Sequence, residues 1–511
     1  MHSLEIVAAQ IVDRGTLHCF GVPGGGPSLQ LIDQIERRGG VFHLVHFEGS
    51  AAVMAGVVGR LTGHAGVAIS IKGPGLANML PGLALSRFER FPVVAISEAF
   101  SPVDRTRRDH KRIDHDALVA GVAKGSRFLS SSGPGYAEMA SWAEREPPAP
   151  VLLNLAEPWP EQQSEIPEDH PLVSTSLSLP SSRRPVVIAG TCAVRWGWSS
   201  LLNELRIPVF STAAAKGIVD ETLPNSAGIF TGAGLDKAPE TSLIPRADLV
   251  IGIGLRMEEI LDPPKFGCPI VNIDSSAELG GTSGPVLDRS TGRKYLEQFH
   301  GVEWGLDEIA QARRRLRTYL LNGGFLPAHV YDGLSERFRG DARLVVDVGD
   351  FCTVAEHLWM SLAADRYLSP GNSRYMGTAI PMAIAASILD RSIPTIVVVG
   401  DGGIGPAISE VKLAVKARAP LLIILMSDGG FGSIRPRAIA RGLSTRCLEI
   451  ASPSWSATLE ALGVPATPVS NENQLDDGIS RGQQRLQNGP YFIEARFDRD
   501  RYEAMTRELR K

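Results

Sequence analysis

Short apolar segments rich in β-branched residues alternate with longer amphipathic segments along most of the chain. The apolar segments predict strands at 93–97, 151–155, 185–190, 248–254, 344–349, 395–400 and 420–426, and the stretches between them have helical spacing. Strands that alternate with helices form parallel sheets covered by helices on both faces. The pattern therefore predicts an α/β fold of doubly wound parallel sheets.

Two irregular stretches interrupt this alternation. Residues 157–184 are rich in proline, serine and acidic residues and lack periodicity, which is typical of a linker. A second break lies near 315–328, where a basic helical segment ends in Gly-Gly shortly before Pro327. A chain of 511 residues is also too long for a single hydrophobic core. We therefore expect three domains, at 1–160, 180–315 and 325–511.

Composition excludes several classes of function. The net charge of −4 gives no electrostatic case for binding nucleic acid or an anionic membrane. The five cysteines are scattered and include no Cys-x-x-Cys pair, which argues against a disulfide framework or a zinc site and for a reducing compartment. No segment approaches the roughly 18 apolar residues that span a bilayer, and the first residues predict an amphipathic helix. We expect a cytoplasmic protein with no membrane or nucleic-acid partner.

Two aspartates follow two neighbouring predicted strands. Asp401 lies in a Gly-Asp-Gly-Gly sequence, and Asp428 lies before two glycines, 27 residues later. Ligands bind at the carboxyl ends of parallel strands, and this spacing accommodates a helix and a strand, so the two carboxylates can converge. Such oxygens beside glycine-rich backbone suit Mg²⁺ and phosphate groups, and a helix starting near Pro406 would direct its positive end at them. Each Asp-Gly alone is more often a turn, but the pair favours a metal–phosphate site.

The same residues resemble the metal–diphosphate motif of thiamine diphosphate enzymes, in particular the acetolactate synthase, pyruvate oxidase and benzoylformate decarboxylase group. In that motif an aspartate, a second polar side chain and a backbone carbonyl two residues later hold Mg²⁺. The resemblance implies that Asp401, Asp428 and the carbonyl of Gly430 hold the ion. The second position is usually asparagine in the family, so Asp428 is a departure that adds negative charge beside the diphosphate.

The resemblance extends to both ends of the chain. Phe-Gly-Val-Pro-Gly at 20–24, Glu48 before a small-residue helix, and Gly-Pro-Gly at 73–75 occur in the order of the family's first domain. The family role implied for Glu48 is catalytic: it hydrogen-bonds the aminopyrimidine ring and favours the imino tautomer that removes the thiazolium C2 proton. On its own, Glu48 would more often be a surface residue in the first turn of a helix.

The resemblance also implies a wider set of cofactor contacts. In Arg-Tyr-Met-Gly, Met376 matches the residue that wedges between the two cofactor rings, and residues 349–352 (Gly349, Asp350, Phe351 and Cys352) match an opening diphosphate loop. The implied cofactor-binding set is Glu48, Met376, Gly377, Gly400, Asp401, Gly402, Gly403, Asp428, Gly430, Phe431 and Gly432.

The reaction implied by the resemblance is cleavage or formation of a C–C bond next to a carbonyl, as in a 2-oxo acid decarboxylase or an acetolactate synthase-like carboligase. Lys72 could receive a substrate carboxylate or phosphonate, or simply snorkel from a loop. Two histidines could shuttle protons, although a solvated charged loop is the commoner case. The candidate substrate residues are Gly25, Gly26, Phe47, Lys72, Asn78, His110 and His115.

Alternatives remain open at this point. The scaffold could also serve a CoA-thioester lyase or acyltransferase, or a catalytically silent homologue acting as a regulatory subunit. In some family members the central domain binds FAD, but Gly-Ile-Gly-Leu-Arg-Met-Glu-Glu at 252–259 is not a dinucleotide fingerprint and no acidic ribose partner is evident, so FAD is not expected. The family places its cofactor between two subunits, which implies a homodimer as the minimum and leaves a homotetramer open.

Overall fold

The computed structural model describes residues 3–101, 110–130, 135–156, 166, 179–232, 237–259, 266–275, 284–450 and 454–509. These residues form three six-stranded parallel sheets, one in each third of the chain. Successive residues of a strand enter different hydrophobic clusters, as Val186 and Val187 do, because side chains alternate between the two faces of a sheet. Each sheet is therefore buried on both faces, and the predicted α/β fold of doubly wound parallel sheets is confirmed.

The first sheet has the strand order β2-β1-β3-β4-β6-β5. Glycine at position 82 is required here because a Cβ would lie 2.2 Å from the carbonyl oxygen of Gly49, so two helices pack closely. The elements are α1 (Ser3–Asp13), β1 (His18–Val22), α2 (Pro27–Arg37), β2 (Val41–Leu44), α3 (Glu48–Thr62), β3 (Gly66–Ser70), α4 (Pro74–Glu89), β4 (Val93–Glu98), α5 (His115–Val119), β5 (Ser126–Phe128), α6 (Tyr136–Glu144) and β6 (Val151–Leu155).

The central sheet has the strand order β12-β11-β10-β7-β8-β9. Its elements are β7 (Pro185–Ala189), α7 (Thr191–Arg195), α8 (Ser199–Asn203), β8 (Val209–Ser211), β9 (Ser226–Ile229), α9 (Pro239–Leu243), β10 (Leu249–Ile253), β11 (Ile270–Ile273), β12 (Val286–Leu287), α10 (Arg289–Glu297) and α11 (Leu306–Leu320). The predicted linker at 157–184 lies mostly outside the described residues.

The third sheet has the strand order β14-β13-β15-β16-β18-β17. Its elements are α12 (Pro327–Phe338), β13 (Arg343–Val346), α13 (Asp350–Leu358), β14 (Tyr367–Leu368), α14 (Ala379–Leu389), β15 (Thr395–Gly400), α15 (Asp401–Ala407), α16 (Val411–Lys416), β16 (Leu421–Ser427), α17 (Arg435–Ala440), α18 (Trp455–Ala461), β17 (Ala466–Val469), α19 (Glu472–Arg485), β18 (Tyr491–Arg496) and α20 (Arg499–Leu509). All the strands predicted from apolar segments are present, and their ends agree within about two residues except that the strand predicted at 344–349 ends at Val346.

The helix that was predicted to start near Pro406 starts earlier. It begins at Asp401, directly after β15, and Pro406 lies inside it. Proline has no N–H to donate and its ring crowds the carbonyl of the preceding turn. The helix accordingly ends at Ala407, and a 3₁₀ turn at 408–410 separates it from α16. The prediction was wrong in position, and the true helix start lies at Asp401 itself.

Helices α3 and α14 join the first and third domains. Both are rich in alanine and small residues and are almost completely buried, and their side chains belong to one hydrophobic cluster. At the same boundary the carboxylate of Glu89 accepts hydrogen bonds from the N–H groups of Asn372 and Ser373. Burial raises the pKa of Glu89 to about 7. The first and third sheets are thus held in a fixed relation within one chain.

In the part of the chain that the structure describes, no helix combines the length and the apolar character needed to cross a membrane.

Candidate active site

Two aspartates meet at the carboxyl edge of the third sheet. Strands β15 and β16 are hydrogen-bonded neighbours, and Asp401 and Asp428 follow their last residues. One Asp401 carboxylate oxygen accepts the N–H groups of Asp428 and Gly429, both at 2.9 Å, and the other accepts the Ser427 hydroxyl at 3.0 Å. The convergence predicted from the spacing of 27 residues is therefore present in the fold.

The two aspartates interact electrostatically, and the effect is seen in the pKa of Asp428. Burial, followed by the negative charge of Asp401, raises the pKa of Asp428 to about 6. Two carboxylates this close are mutually repulsive unless a proton or a cation lies between them. Arg499, on α20, donates to the carbonyl oxygens of Asp428 at 2.8 Å and Gly429 at 2.7 Å. This arginine lies 71 residues beyond Asp428 and was not predicted.

A cavity of about 240 Å³ opens above these carboxylates. Among the cofactor-binding residues predicted in the third domain, all except Gly377 line it, and so do three of the four residues at 349–352, the exception being Cys352. Met376 stands at the cavity with 40% of its surface exposed. The structure thus gathers residues from five separate stretches of sequence around one space, the fifth being Tyr502.

Glycine at position 403 is required by a buried aspartate. A Cβ on Gly403 would lie 2.1 Å from a carboxylate oxygen of Asp347. Asp347 follows β13 and accepts the N–H of Gly377 at 2.9 Å and that of Val348 at 2.9 Å. Burial raises the pKa of Asp347 to about 7. Sequence reasoning missed this residue, which ties the start of the 349–352 segment to the turn that carries Met376.

The residues present fit a diphosphate with a divalent cation. The metal donors would be carboxylate and carbonyl oxygens, the ligand type that Mg²⁺ prefers, and glycine-rich backbone borders the cavity where phosphate oxygens need close N–H groups. No cluster of three or more His, Cys, Asp or Glu side chains able to hold a metal occurs among the described residues. If Asp401, Asp428 and the carbonyl of Gly430 held an ion, other oxygens, such as those of phosphate or water, would have to complete its ligands.

Glu48 lies away from the Asp401 cavity, at the carboxyl edge of the first sheet. We call the Asp401 cavity and the surroundings of Glu48 the two half-sites. It is the first residue of α3, directly after the turn from β2, and only 7% of its surface is exposed. The Asn78 side-chain amide donates to its carboxylate at 3.1 Å. A Cβ on Gly75 would lie 3.3 Å from the other carboxylate oxygen, so the Gly-Pro-Gly turn closes over this side chain. Glu48 does not line the cavity at Asp401.

The glycine loop after β1 is organised by a buried glutamate. Glu98, at the end of β4, accepts the N–H of Gly26 at 3.1 Å and the Ser28 hydroxyl at 2.7 Å. Lys72 directs its ammonium group to the same carboxylate at 3.7 Å and lies over the ring of Phe100. Gly25 and Gly26 thus share an edge of the first sheet with Lys72, and the sequence analysis did not identify Glu98.

The remaining substrate candidates differ in their surroundings. The His115 ring accepts the N–H of Gly73 through Nε2 at 3.1 Å, and its Nδ1 lies 2.7 Å from the side-chain oxygen of Asn154. Both ring nitrogens are therefore occupied, which favours a role in holding the Gly-Pro-Gly turn over proton shuttling. His110 is exposed, next to a stretch outside the described residues. Phe47 precedes α3 and is 37% exposed.

At the carboxyl edge of the central sheet, charged groups pair with one another. Glu259 accepts the N–H of Thr191, after β7, at 3.0 Å. Asp274, which follows β11, is an acidic side chain at this edge that the sequence analysis did not identify, and it lies 3.7 Å from Arg256. The same guanidinium reaches Glu146 of the first domain at 3.1 Å. The expectation that this domain does not bind FAD stays a prediction.

Three models of one enzyme family match the chain in order. The N-terminal TPP binding domain of thiamine pyrophosphate (thiamine diphosphate) enzymes matches residues 1–118, the central domain matches 176–286, and the C-terminal TPP binding domain matches 347–495. These ranges contain Glu48, Asp401 and Asp428, together with most strands of the three sheets.

Curated relatives match over almost the whole chain. An acetolactate synthase of Bacillus subtilis strain 168 is 25% identical, covering 97% of this chain and 93% of the relative. The acetolactate synthase isozyme 3 large subunit of Escherichia coli K12 is 24% identical over 95% and 92%. A Pseudomonas aeruginosa protein named "Probable 2-ketoarginine decarboxylase AruI" is 24% identical, also over 95% and 92%. The chain therefore belongs to the thiamine diphosphate-dependent enzyme family and is similar to its acetolactate synthases.

Proposed function

We propose that this protein is a thiamine diphosphate- and Mg²⁺-dependent 2-oxo acid decarboxylase or carboligase. The observation that carries the proposal is the pair of adjoining carboxylates, Asp401 and Asp428, at a glycine-lined cavity on the carboxyl edge of the third sheet. The family assignment supports the cofactor, and the names of the relatives, acetolactate synthases and a 2-ketoarginine decarboxylase, support the substrate class.

Different residues of the protein would hold the metal ion, the diphosphate and the aminopyrimidine ring. Asp401, Asp428 and the Gly430 carbonyl would hold Mg²⁺, and the glycines at 402 and 403 leave room for diphosphate oxygens. Thiamine diphosphate supplies, when bound, a nucleophilic carbon and an electron sink for the bond that breaks beside the carbonyl. Burial keeps bulk water from Glu48. Its carboxyl group can therefore share a proton with a nitrogen of the aminopyrimidine ring through a hydrogen bond.

Asn78 positions the catalytic carboxylate. Its amide donates to one oxygen of Glu48, which leaves the other oxygen for the cofactor ring. Lys72 pairs with Glu98, the same carboxylate that accepts the N–H of Gly26, and its ammonium group would attract the carboxylate of a 2-oxo acid. Substrate selection therefore rests on the edge of the first sheet, which also carries Glu48 for the cofactor ring, and metal and diphosphate binding rest on the edge of the third.

The functional unit we propose is at least a homodimer. Glu48 is not among the residues around the Asp401 cavity, so the two half-sites of one chain are separate. Exposed apolar side chains accompany both of them: Leu44 and Phe47 before Glu48, and Ile434 after the Asp428 loop. A second copy would cover these side chains and bring its Glu48 to the first copy's cavity. Light scattering of the purified protein should give at least twice the chain mass.

The substrate class is tested by screening the purified holoenzyme against a panel of 2-oxo acids. The assay follows CO₂ release and carboligation products in parallel, with Asp401→Ala as the matched inactive control. Turnover of at least one 2-oxo acid, lost in the control, is the expected result. Turnover of CoA thioesters in place of 2-oxo acids would favour the acyltransferase alternative, and cofactor binding with no turnover would favour the silent homologue.

A further inference from the structure

The cavity at Asp401 carries an excess of negative charge. Among the described residues that line it there are three carboxylates, those of Asp350, Asp401 and Asp428, and no lysine or arginine. A diphosphate would bring further negative charge into this buried space. One Mg²⁺ leaves much of this charge unbalanced, and like charges repel strongly where water is scarce. A positive group is therefore needed close to the metal loop.

Arg499 meets that need from outside the cavity. It is the first residue of α20, and its guanidinium donates to the carbonyl oxygens of Asp428 and Gly429 at 2.8 and 2.7 Å. A forked guanidinium with two hydrogen bonds is fixed in place, and it brings a positive charge to the loop. Gly429 has φ of +79°, and a Cβ there would lie 2.7 Å from a guanidinium nitrogen, so glycine is needed for this approach.

The loop is also held from its other side. The Gly429 carbonyl accepts the N–H of Ile450 at 3.1 Å, and the N–H of Phe431 donates to the Leu448 carbonyl at 2.9 Å. Arg499 thus completes a two-sided clamp on the backbone just before Gly430, whose carbonyl would ligate the ion. The clamp holds the loop backbone, and the guanidinium brings a positive charge within hydrogen-bonding distance of the carbonyl of Asp428.

We propose that Arg499 is a positioning residue that offsets the negative charge of Asp428 and so allows the loop to hold Mg²⁺ and a diphosphate. The inference rests on the proposed function. It concerns a residue pair of this chain, the carboxylate at 428 and the guanidinium at 499, and it predicts that the two substitutions are coupled.

A double-mutant cycle tests the coupling. The measured quantity is the Mg²⁺ concentration that gives half-maximal thiamine diphosphate binding, followed by calorimetry, for wild type, Arg499→Gln, Asp428→Asn and the double variant. Arg499→Gln should raise this concentration about tenfold, equivalent to about 1.4 kcal/mol, in the wild-type background. In the Asp428→Asn background the same change should raise it less than about threefold. Arg501→Gln, on the exposed side of α20, is the control and should change nothing.

Equal losses in both backgrounds would overturn the inference, because a purely structural arginine would act regardless of the charge at position 428. If Arg499→Gln does not fold, Arg499→Lys supplies the comparison. It keeps the charge but not the forked pair of hydrogen bonds, so any loss should be the same in the wild-type and Asp428→Asn backgrounds, and a loss confined to the wild-type background would refute the charge argument. Failure of the wild-type protein to bind thiamine diphosphate with Mg²⁺ would refute the proposed function instead.

Discussion

Replacement of Asp401 by asparagine removes one charge from the metal site while keeping its shape. The carboxylate is 4% exposed and accepts three hydrogen bonds, from the Ser427 hydroxyl and from the N–H groups of Asp428 and Gly429. In the Asp401→Asn variant the amide oxygen can still accept both N–H groups, and the amide nitrogen can donate to the Ser427 hydroxyl. The loop should therefore stay folded, and the loss should fall on the metal.

The size of that loss follows from the interaction removed. An interaction with a fully charged, buried partner is worth about 1.5–3 kcal/mol, and each 1.4 kcal/mol is about tenfold in a dissociation constant. Asp401→Asn should thus weaken thiamine diphosphate binding in the presence of Mg²⁺ by about 10- to 150-fold. Isothermal titration calorimetry at fixed Mg²⁺ measures this directly, and thermal unfolding of the apo protein should change little.

A matched control removes a carboxylate away from the cavity. Asp390 directly follows the C-terminal end of α14, whereas Met376, at the cavity, precedes the N-terminal end of this helix. The carboxylate of Asp390 accepts the N–H of Ser392. Asp390→Asn changes the net charge equally and should leave cofactor affinity unaltered. An unchanged affinity in Asp401→Asn, or equal losses in both variants, would refute the assignment of Asp401 as a metal ligand.

Three further predictions concern single side chains. Asp428→Asn should preserve or tighten cofactor binding and make it depend less steeply on Mg²⁺, and abolished binding in a calorimetric titration would give the carboxylate a different role. Glu89 has a pKa raised from 4.5 to about 7, so the folded protein binds the extra proton and stability falls by about 3 kcal/mol as pH rises through that range. Glu89→Gln should flatten the fall in unfolding temperature between pH 5 and 7.5, and an unchanged profile would contradict it. Lys72→Gln should raise KM for a 2-oxo acid about fivefold with little change in kcat, and a selective fall in kcat in steady-state kinetics would argue against carboxylate binding.

The sequence predicts the parts of the site that depend on strand ends. Asp401 and Asp428 could be paired because parallel strands present their carboxyl ends at one edge and because 27 residues span one helix and one strand. Glu48 was identified only through resemblance to a family, since a glutamate in the first turn of a helix carries no unique signal. The helix at Asp401 was misplaced because Pro406 marks the first turn of many helices.

The residues that sequence reasoning missed act across long separations. Arg499 contacts a loop 71 residues earlier, and the partner of His115 is Asn154, 39 residues later. Neither pairing leaves a local pattern, because each depends on which strand ends become neighbours in the folded sheet. Asp347 stands beside the predicted 349–352 segment, but its burial under Gly403 is visible only in three dimensions.

The most direct test of the account is deuterium exchange at C2 of bound thiamine diphosphate, measured by NMR in acid-quenched samples. Glu48→Gln keeps an oxygen for the Asn78 amide, so the variant should bind cofactor with near wild-type affinity. Its C2 exchange should nevertheless slow by at least about 10- to 100-fold, because a neutral amide cannot replace the charged hydrogen bond to the ring. Fast exchange in wild type and slow exchange in the variant are the predicted result. Equal exchange rates in the two proteins would contradict the assignment of Glu48 as the activating residue and, with it, the proposed catalytic function.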